Sequence, residues 1–449
     1  MAVPAHIESP VGRSLGRVVV SSSIGTAMEW YDYFLYVAGG TLLFDKLFFP
    51  QLSPAVGTIA ALGTLAVGSV SKPLGGMLFG HLGDRLGRKT VLVLTLVIMG
   101  VSTTVVGLLP TAATIGGWAP VLLVVLRFVQ GLAAGGEWGG SVLLVAEHTP
   151  AHRRGFFTSM TQSGIALGFL AATGIFALFS GVLSQQQFES WGWRVPFLAS
   201  VVLVAVGLYM RLKVDESPEF AALQARGKQA RAPIAEVFRH HRKSALVTIG
   251  ARLGESGFSS LVQLAVLVYG VDVLHVSPTM ALVALMVGFA VEMVTMVGFG
   301  RLSDRVGRRP VYMVGATAAA VLAFPLIWML GSGNGLLLIL AVSLAFGTGH
   351  AGMIGVVPSF FTELFPADLR YSGMSVNLIS GGITAVFPLA VSALILWSGG
   401  SLWPLAGLLV VIALIGLASV YWAEETHHLD RADATHPEPA HALAADTHS

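Results

Sequence analysis

Gly80-His81-Leu82-Gly83-Asp84-Arg85-Leu86-Gly87-Arg88-Lys89 is followed 220 residues later by Gly300-Arg301-Leu302-Ser303-Asp304-Arg305-Val306-Gly307-Arg308-Arg309, a near-copy of the same charged loop. A second pair keeps almost the same offset: Glu147, Pro150 and Arg154 recur as Glu363, Pro366 and Arg370, 216 residues on. The chain therefore reads as two halves built to one plan. In a membrane protein, internal duplication of this kind points to a transporter.

Composition places these loops in a membrane protein. Hydrophobic residues make up 54% of the 449 and charged residues only 11%. Apolar stretches of about 20 residues, each long enough to cross hydrocarbon as a helix, recur from end to end. The net charge of +2 comes from basic residues scattered between apolar runs, so no nucleic-acid partner is expected. With no cysteine, disulfides and thiolate metal sites are excluded. No HExxH, CxxC or carboxylate cluster with ligand spacing is found, so neither an enzyme nor a bound cofactor or metal is expected. The opening residues are short and polar, and the run after them holds Glu29 and Asp32, which a cleaved signal peptide would not tolerate.

Apolar runs and breakers predict an all-α membrane protein of twelve transmembrane helices, near 17–42, 55–81, 90–110, 118–147, 155–183, 194–212, 244–271, 279–300, 310–331, 334–363, 370–397 and 402–423. They form two pseudo-symmetric six-helix halves, 17–212 and 244–423. A cytosolic N-terminus (1–16), a polar linker (213–243) and a disordered tail (424–449) complete the chain. Arg13, Arg17, Arg85, Arg88, Lys89, Arg153, Arg154, Arg211 and the basic residues of the linker and second loop fall on one side, while only Lys46 and Arg194 fall on the other. By the positive-inside rule both termini are cytosolic.

Charges left inside the membrane are the functional candidates, because each costs roughly 2.5–3.5 kcal/mol at the bilayer centre unless it faces water or a partner. They are Glu29, Asp32, Lys72, Arg127, Glu137, Arg252, Glu255 and Glu292. Glu29 and Asp32 stand three apart on one helical face, among Trp30, Tyr31, Tyr33 and Tyr36. Two close carboxylates in low dielectric rarely ionise together, which suits a proton-coupling site. Arg127 cannot neutralise itself and must keep an acid or an anionic ligand; ten residues on, Glu137 is placed to line the same cavity. Arg252 and Glu255, three apart, read equally as a structural bridge and as substrate contacts. Lys72 and Glu292 each precede their loop's first glycine by eight residues, so they occupy matching places with opposite charge. His350 lies mid-membrane in Gly347-Thr348-Gly349-His350-Ala351-Gly352, where backbone can approach a ligand and imidazole can take a proton. Gly131, Gly135 and Gly139 recur every fourth residue and read as helix packing.

The twin loops carry more than orientation requires. Glycines permit the turn, and the aspartate is suited to capping the helix that follows. An aspartate in both copies also suggests an ion-pair latch that closes the cytosolic side in one conformation and breaks in the other. Its expected members are Asp84, Arg85, Arg88 and Glu147, with Asp304, Arg305, Arg308 and Glu363.

These loops resemble the loop 2–3 and loop 8–9 signature of the major facilitator superfamily, over about 17–423. Glu29-Trp30-Tyr31-Asp32, Lys72-Pro73-Leu74-Gly75, Arg127-Phe128-Val129-Gln130-Gly131, Gly135-Gly136-Glu137-Trp138-Gly139-Gly140, Gly250-Ala251-Arg252-Leu253-Gly254-Glu255 and the run from Glu363 to Gly373 are similar to the bacterial metabolite:proton symporters. That resemblance implies a proton-coupled importer working by alternating access at the bacterial inner membrane, driven by the proton gradient without a cofactor. The matching positions for an acid–arginine coupling pair are Asp32 and Arg127. Tyr33, Lys72, Arg127, Glu137, Arg252, Glu255 and His350 are the expected substrate contacts. Helix 4 is more similar to the shikimate and organic-acid branch than to the osmolyte branch, whose members usually end in a coiled coil; this tail lacks heptads. A monomer in the lipid bilayer, carrying a small organic anion with protons, is the expectation. The alternatives are a zwitterionic-osmolyte importer and a proton-antiport exporter.

Overall fold

A computed structural model describes residues 10–225, 233–270 and 276–427. Residues 1–9, part of the linker and the tail beyond 427 lie outside the described residues. Twelve long helices carry the fold: α1 (Pro10–Leu42), α2 (Pro54–Leu86), α3 (Arg88–Leu108), α4 (Trp118–His148), α5 (Ala151–Val182), α6 (Gln185–Leu212), α7 (242–269), α8 (Pro278–Val306), α9 (Arg308–Gly331), α10 (Gly335–Glu363), α11 (370–397) and α12 (Trp403–Trp422). Among the described residues every regular element is helical.

At 1.5 Å per residue the 33-residue α1 and α2 are about 50 Å long, longer than the roughly 30 Å hydrocarbon layer. Both therefore project beyond it, and α1 begins at Pro10, well before the expected start at 17. Among the described residues, eight helices are long and apolar enough to span a bilayer. The other four are α1, α2, α7 and α11, of which α11 is broken by turns. Large apolar side chains such as Val202, Val294, Val321 and Leu396 point outward, as a lipid-facing surface requires.

Two helix pairs bring the halves together at the end that bears the charged loops: α2 with α11, and α5 with α8. Gly155 permits one of these approaches, since a Cβ there would stand 2.4 Å from the Gly300 carbonyl. The loops themselves turn on Gly87 and Gly307, at φ of 103° and 104°, a region that other residues seldom enter. Two short linker helices, Pro218–Ala225 and Pro233–His240, lie under this end.

Candidate functional site

Asp32 lies ten residues before the end of α1, about 15 Å along its axis and hence deep in the membrane. Its Oδ1 accepts from Thr103 Oγ1 at 2.6 Å and Gln130 Nε2 at 2.9 Å; its Oδ2 accepts from Arg127 Nη1 at 3.2 Å. Arg127 also donates to Gln130 Oε1 at 3.1 Å, and its guanidinium lies 3.7 Å from the centre of the Tyr36 ring. Carboxylate and guanidinium are thus buried and paired, with the guanidinium over the Tyr36 ring and the Gln130 amide hydrogen-bonded to both. Beside them Glu29 pairs with Lys72 at 2.9 Å, so the two α1 carboxylates do not share a proton across one gap; each has its own cation. Asp32, Glu29, Lys72, Arg127, Gln130 and Tyr33 line one cavity.

A close crossing of α2 on α4 holds this cavity's back wall. A Cβ on Gly131 would meet the Gly68 carbonyl at 2.2 Å, and one on Gly75 would meet the Leu132 carbonyl at 1.9 Å. These glycines are packing residues.

The second half contributes a different cluster. His350 closes a π-helical turn, Ala345–His350, in α10, a distortion that re-aims side chains along a helix. Its Nε2 lies 2.8 Å from Glu255 Oε1, and its Nδ1 is hydrogen-bonded to Glu292. Glu255 also pairs with Arg252 at 2.7 Å, and the Arg252 guanidinium stacks 4.9 Å from the Trp138 ring of the first half. Lys72 and Glu292, matched in sequence, do not meet: one pairs with Glu29 and the other with His350. A cavity of about 120 Å³ between the halves is bordered by Arg252, Glu255, Glu292, His350, Trp30 and Tyr33. Tyr33 also borders the Asp32 cavity and a larger one of about 390 Å³ that runs toward Leu267 and Pro388, away from the charged loops.

Glu137 stands apart from all three cavities, which corrects its expected place beside Arg127. It is fully buried against α3 and α6, ion-paired with Arg211 of α6 and accepting from Thr95 Oγ1 at 3.0 Å and Ser141 Oγ at 2.9 Å. Arg211, expected among the orientation charges, is a buried counter-ion instead. Spacing along one helix does not set how α4 is turned against α6.

At the charged end the loops cross-link the halves. Asp84 accepts the backbone N–H groups of Tyr371 and Ser372 at 3.3 and 2.9 Å, at the start of α11. Asp304 accepts those of Gly155 and Phe156 at 2.8 and 2.9 Å, near the start of α5. Each aspartate therefore caps a helix of the opposite half, and not the helix that follows it, as expected from the loop alone. Arg88 sits between Asp84 (3.4 Å) and Glu147 (3.5 Å); Arg308 sits between Asp304 (2.7 Å) and Glu363 (2.9 Å). Arg85 and Arg305 point outward and take no part in these ion pairs, contrary to expectation.

A third repeat, Asp215-Glu216-Ser217 and Glu424-Glu425-Thr426, two acids and a hydroxyl just after the last helix of each half, completes the arrangement. Glu216 accepts the N–H groups of Arg88 and Lys89, and Glu425 those of Arg308 and Arg309, so these are the caps of α3 and α9. Ser217 and Thr426 donate to Glu147 and Glu363. Residues 424–427 are thus part of the ordered bundle, where a disordered tail was expected. Linker residue Glu219 pairs with Arg370 and, at 3.5 Å, with Arg154, joining both halves.

The Major Facilitator Superfamily matches residues 23–387. A shikimate transporter of Escherichia coli is 39% identical over 408 residues, covering 88% of this chain and 92% of that protein. A glycine betaine/proline/ectoine/pipecolic acid transporter of Dickeya dadantii is 34% identical over 434 residues, covering 92% of this chain and 84% of that one. Among solved structures, a proton:xylose symporter bound to a bromodeoxyglucose aligns with TM-score 0.74 at 19% identity, over 94% of this chain and 99% of that chain, which speaks to the fold. These relatives are transporters, not enzymes. With a duplicated twelve-helix bundle, twin interlocking loops and ionisable groups converging on a cavity between its halves, the chain belongs to the major facilitator superfamily of membrane transporters.

Proposed function

We propose that this chain is a proton-coupled symporter that imports a small organic acid across the bacterial cytoplasmic membrane by alternating access. The observation that carries the reading is the buried Asp32–Arg127 pair, 3.2 Å apart on the wall of a cavity inside the membrane. A proton arriving from outside neutralises Asp32; Arg127, no longer held by it, takes the substrate carboxylate in a charge-assisted, two-pronged contact. With both loaded, the halves close outside and the cytosolic latches around Asp84 and Asp304 open. After release, Asp32 and Arg127 pair again and the empty carrier returns. Each net charge moved gains about 2.3 kcal/mol per 100 mV of membrane potential. The basic end faces the cytosol, with both termini there, and the protein works as a monomer.

Uptake of a carboxylate panel into proteoliposomes tests this. External acidification stimulates transport by the natural protein, and Asp32→Asn abolishes that stimulation. Transport indifferent to the gradient, or an Asp32→Asn protein that stays fully coupled, defeats the mechanism.

One observation favours a second reading, a zwitterion importer. The cavity between the halves places Glu255 and Glu292 beside Trp30 and Tyr33, a pairing of acids and aromatic faces suited to a cationic group. Competition of the transported acid by betaine or proline, or activation by osmotic upshift, supports it.

A further inference from the structure

His350 is held by a carboxylate at each ring nitrogen, and the charge of its surroundings fixes what that arrangement requires. Glu255 and Glu292 bring two negative charges and Arg252 one positive. The other titratable groups facing the cluster are tyrosines: Tyr312 of α9, whose hydroxyl donates to the Ala251 carbonyl at 2.6 Å, and Tyr33 of α1 across the cavity, where Gln162 of α5 adds an uncharged amide. With a neutral imidazole the buried cluster would hold a net charge of −1, and one ring nitrogen would face a carboxylate oxygen with no proton between them. Adding one proton removes both problems, because imidazolium donates from both nitrogens. The first half behaves oppositely: Glu29 with Lys72 and Asp32 with Arg127 are each neutral without any added proton.

We propose that His350, Glu255 and Glu292 form a second proton-binding site in the C-terminal half, separate from Asp32 and Arg127. A proton enters from water in the cavity bordered by Tyr33 and Gln263, settles on His350 and is shared with both carboxylates. It leaves to water when the bundle opens at the charged end. No other bond is made or broken. Burial makes the unprotonated cluster costly, so it empties only where water reaches it.

Nitrogen NMR of the purified, full-length protein labelled with 15N-histidine tests this without any substrate. The resonance missing from His350→Gln identifies His350 among the histidines. At about pH 8, where a free imidazole is mostly neutral, His350 is expected to carry two ring protons in the natural protein and one after Glu292→Gln. Glu255→Gln gives the same change and serves if Glu292→Gln does not fold. A single ring proton in the natural protein, or two in both glutamine variants, overturns the proposal. Because Asp32 is untouched in these proteins, the outcome is independent of whether Asp32 couples transport.

Discussion

Asp304 accepts the backbone N–H of Gly155 at 2.8 Å, so that a loop of one half caps a helix of the other. The same bond, displaced by one repeat, joins Asp84 to Tyr371. Each aspartate also holds the next residue's N–H, giving two hydrogen bonds per latch. Hydrogen bonds to charged groups contribute about 1.5–3 kcal/mol each. Because these bonds join the halves, their loss shifts the balance between closed and open forms, whereas loss of a cap within one half only loosens a helix.

Asp304→Ala is therefore expected to raise the population open at the charged end at least tenfold. The natural chain has no cysteine, so a single Ser375→Cys reports this cleanly. Ser375 is buried against α2 in the closed form. Maleimide labelling should be faster in Asp304→Ala and unchanged in Arg305→Ala, since Arg305 lies outside the latch. Equal labelling in the three proteins would show that the loops only orient the chain.

The Glu137–Arg211 pair is predicted to be structural. Removing one partner of a buried ion pair costs about 3–5 kcal/mol, whereas replacing both by uncharged residues of similar size is often nearly neutral. Arg211→Met should sharply lower the thermal midpoint of the purified protein, and Glu137→Gln with Arg211→Met should recover most of it. Substrate preference should be unaltered in the double variant; a changed preference would return Glu137 to the binding site.

Glycine positions on α4 separate into two classes. Gly131→Ala pushes a methyl group into the Gly68 backbone, which cannot yield without parting α2 from α4. Gly139→Ala finds the Tyr371 ring 3.5 Å away, an ordinary contact. The first should fold poorly or lose transport, and the second should express and transport normally, as judged by membrane yield and uptake. If Gly131→Ala behaves like Gly139→Ala, the close approach is not needed.

What could be read from the sequence divides along a physical line. Span number, halves and twin loops follow from hydrophobic run length and repetition, which are local. Arg252 with Glu255 is local too, since residues three apart on a helix must be neighbours. Asp32 with Arg127 is 95 residues apart, and only family resemblance joined them before the geometry did. Glu137 with Arg211, and His350 with Glu292, depend on how each helix is rotated, which neither run length nor spacing sets. The π-helical turn before His350 adds to this, because it breaks the regular angle per residue on which such projections rest. The cap carried by Glu425 escaped for another reason: it lies past the last apolar run, where polar composition reads as a free tail.

Arg127 is the one group expected to decide whether a carboxylate ligand binds at all. A ligand at about 100 times its dissociation constant adds about 2.7 kcal/mol to the stability of the protein it binds. A thermal-shift screen of the natural protein with organic acids should show that stabilisation for at least one member. Arg127→Ala should abolish it, Arg127→Lys should weaken it by removing the two-pronged geometry, and the Glu137→Gln, Arg211→Met variant should retain it relative to its own baseline. Asp32→Asn supplies the opposing case: with no carboxylate competing for Arg127, the acid should stabilise that variant as much as the natural protein or more, even though uphill transport is lost. Binding that survives Arg127→Ala would move the carboxylate site to Arg252 in the other half.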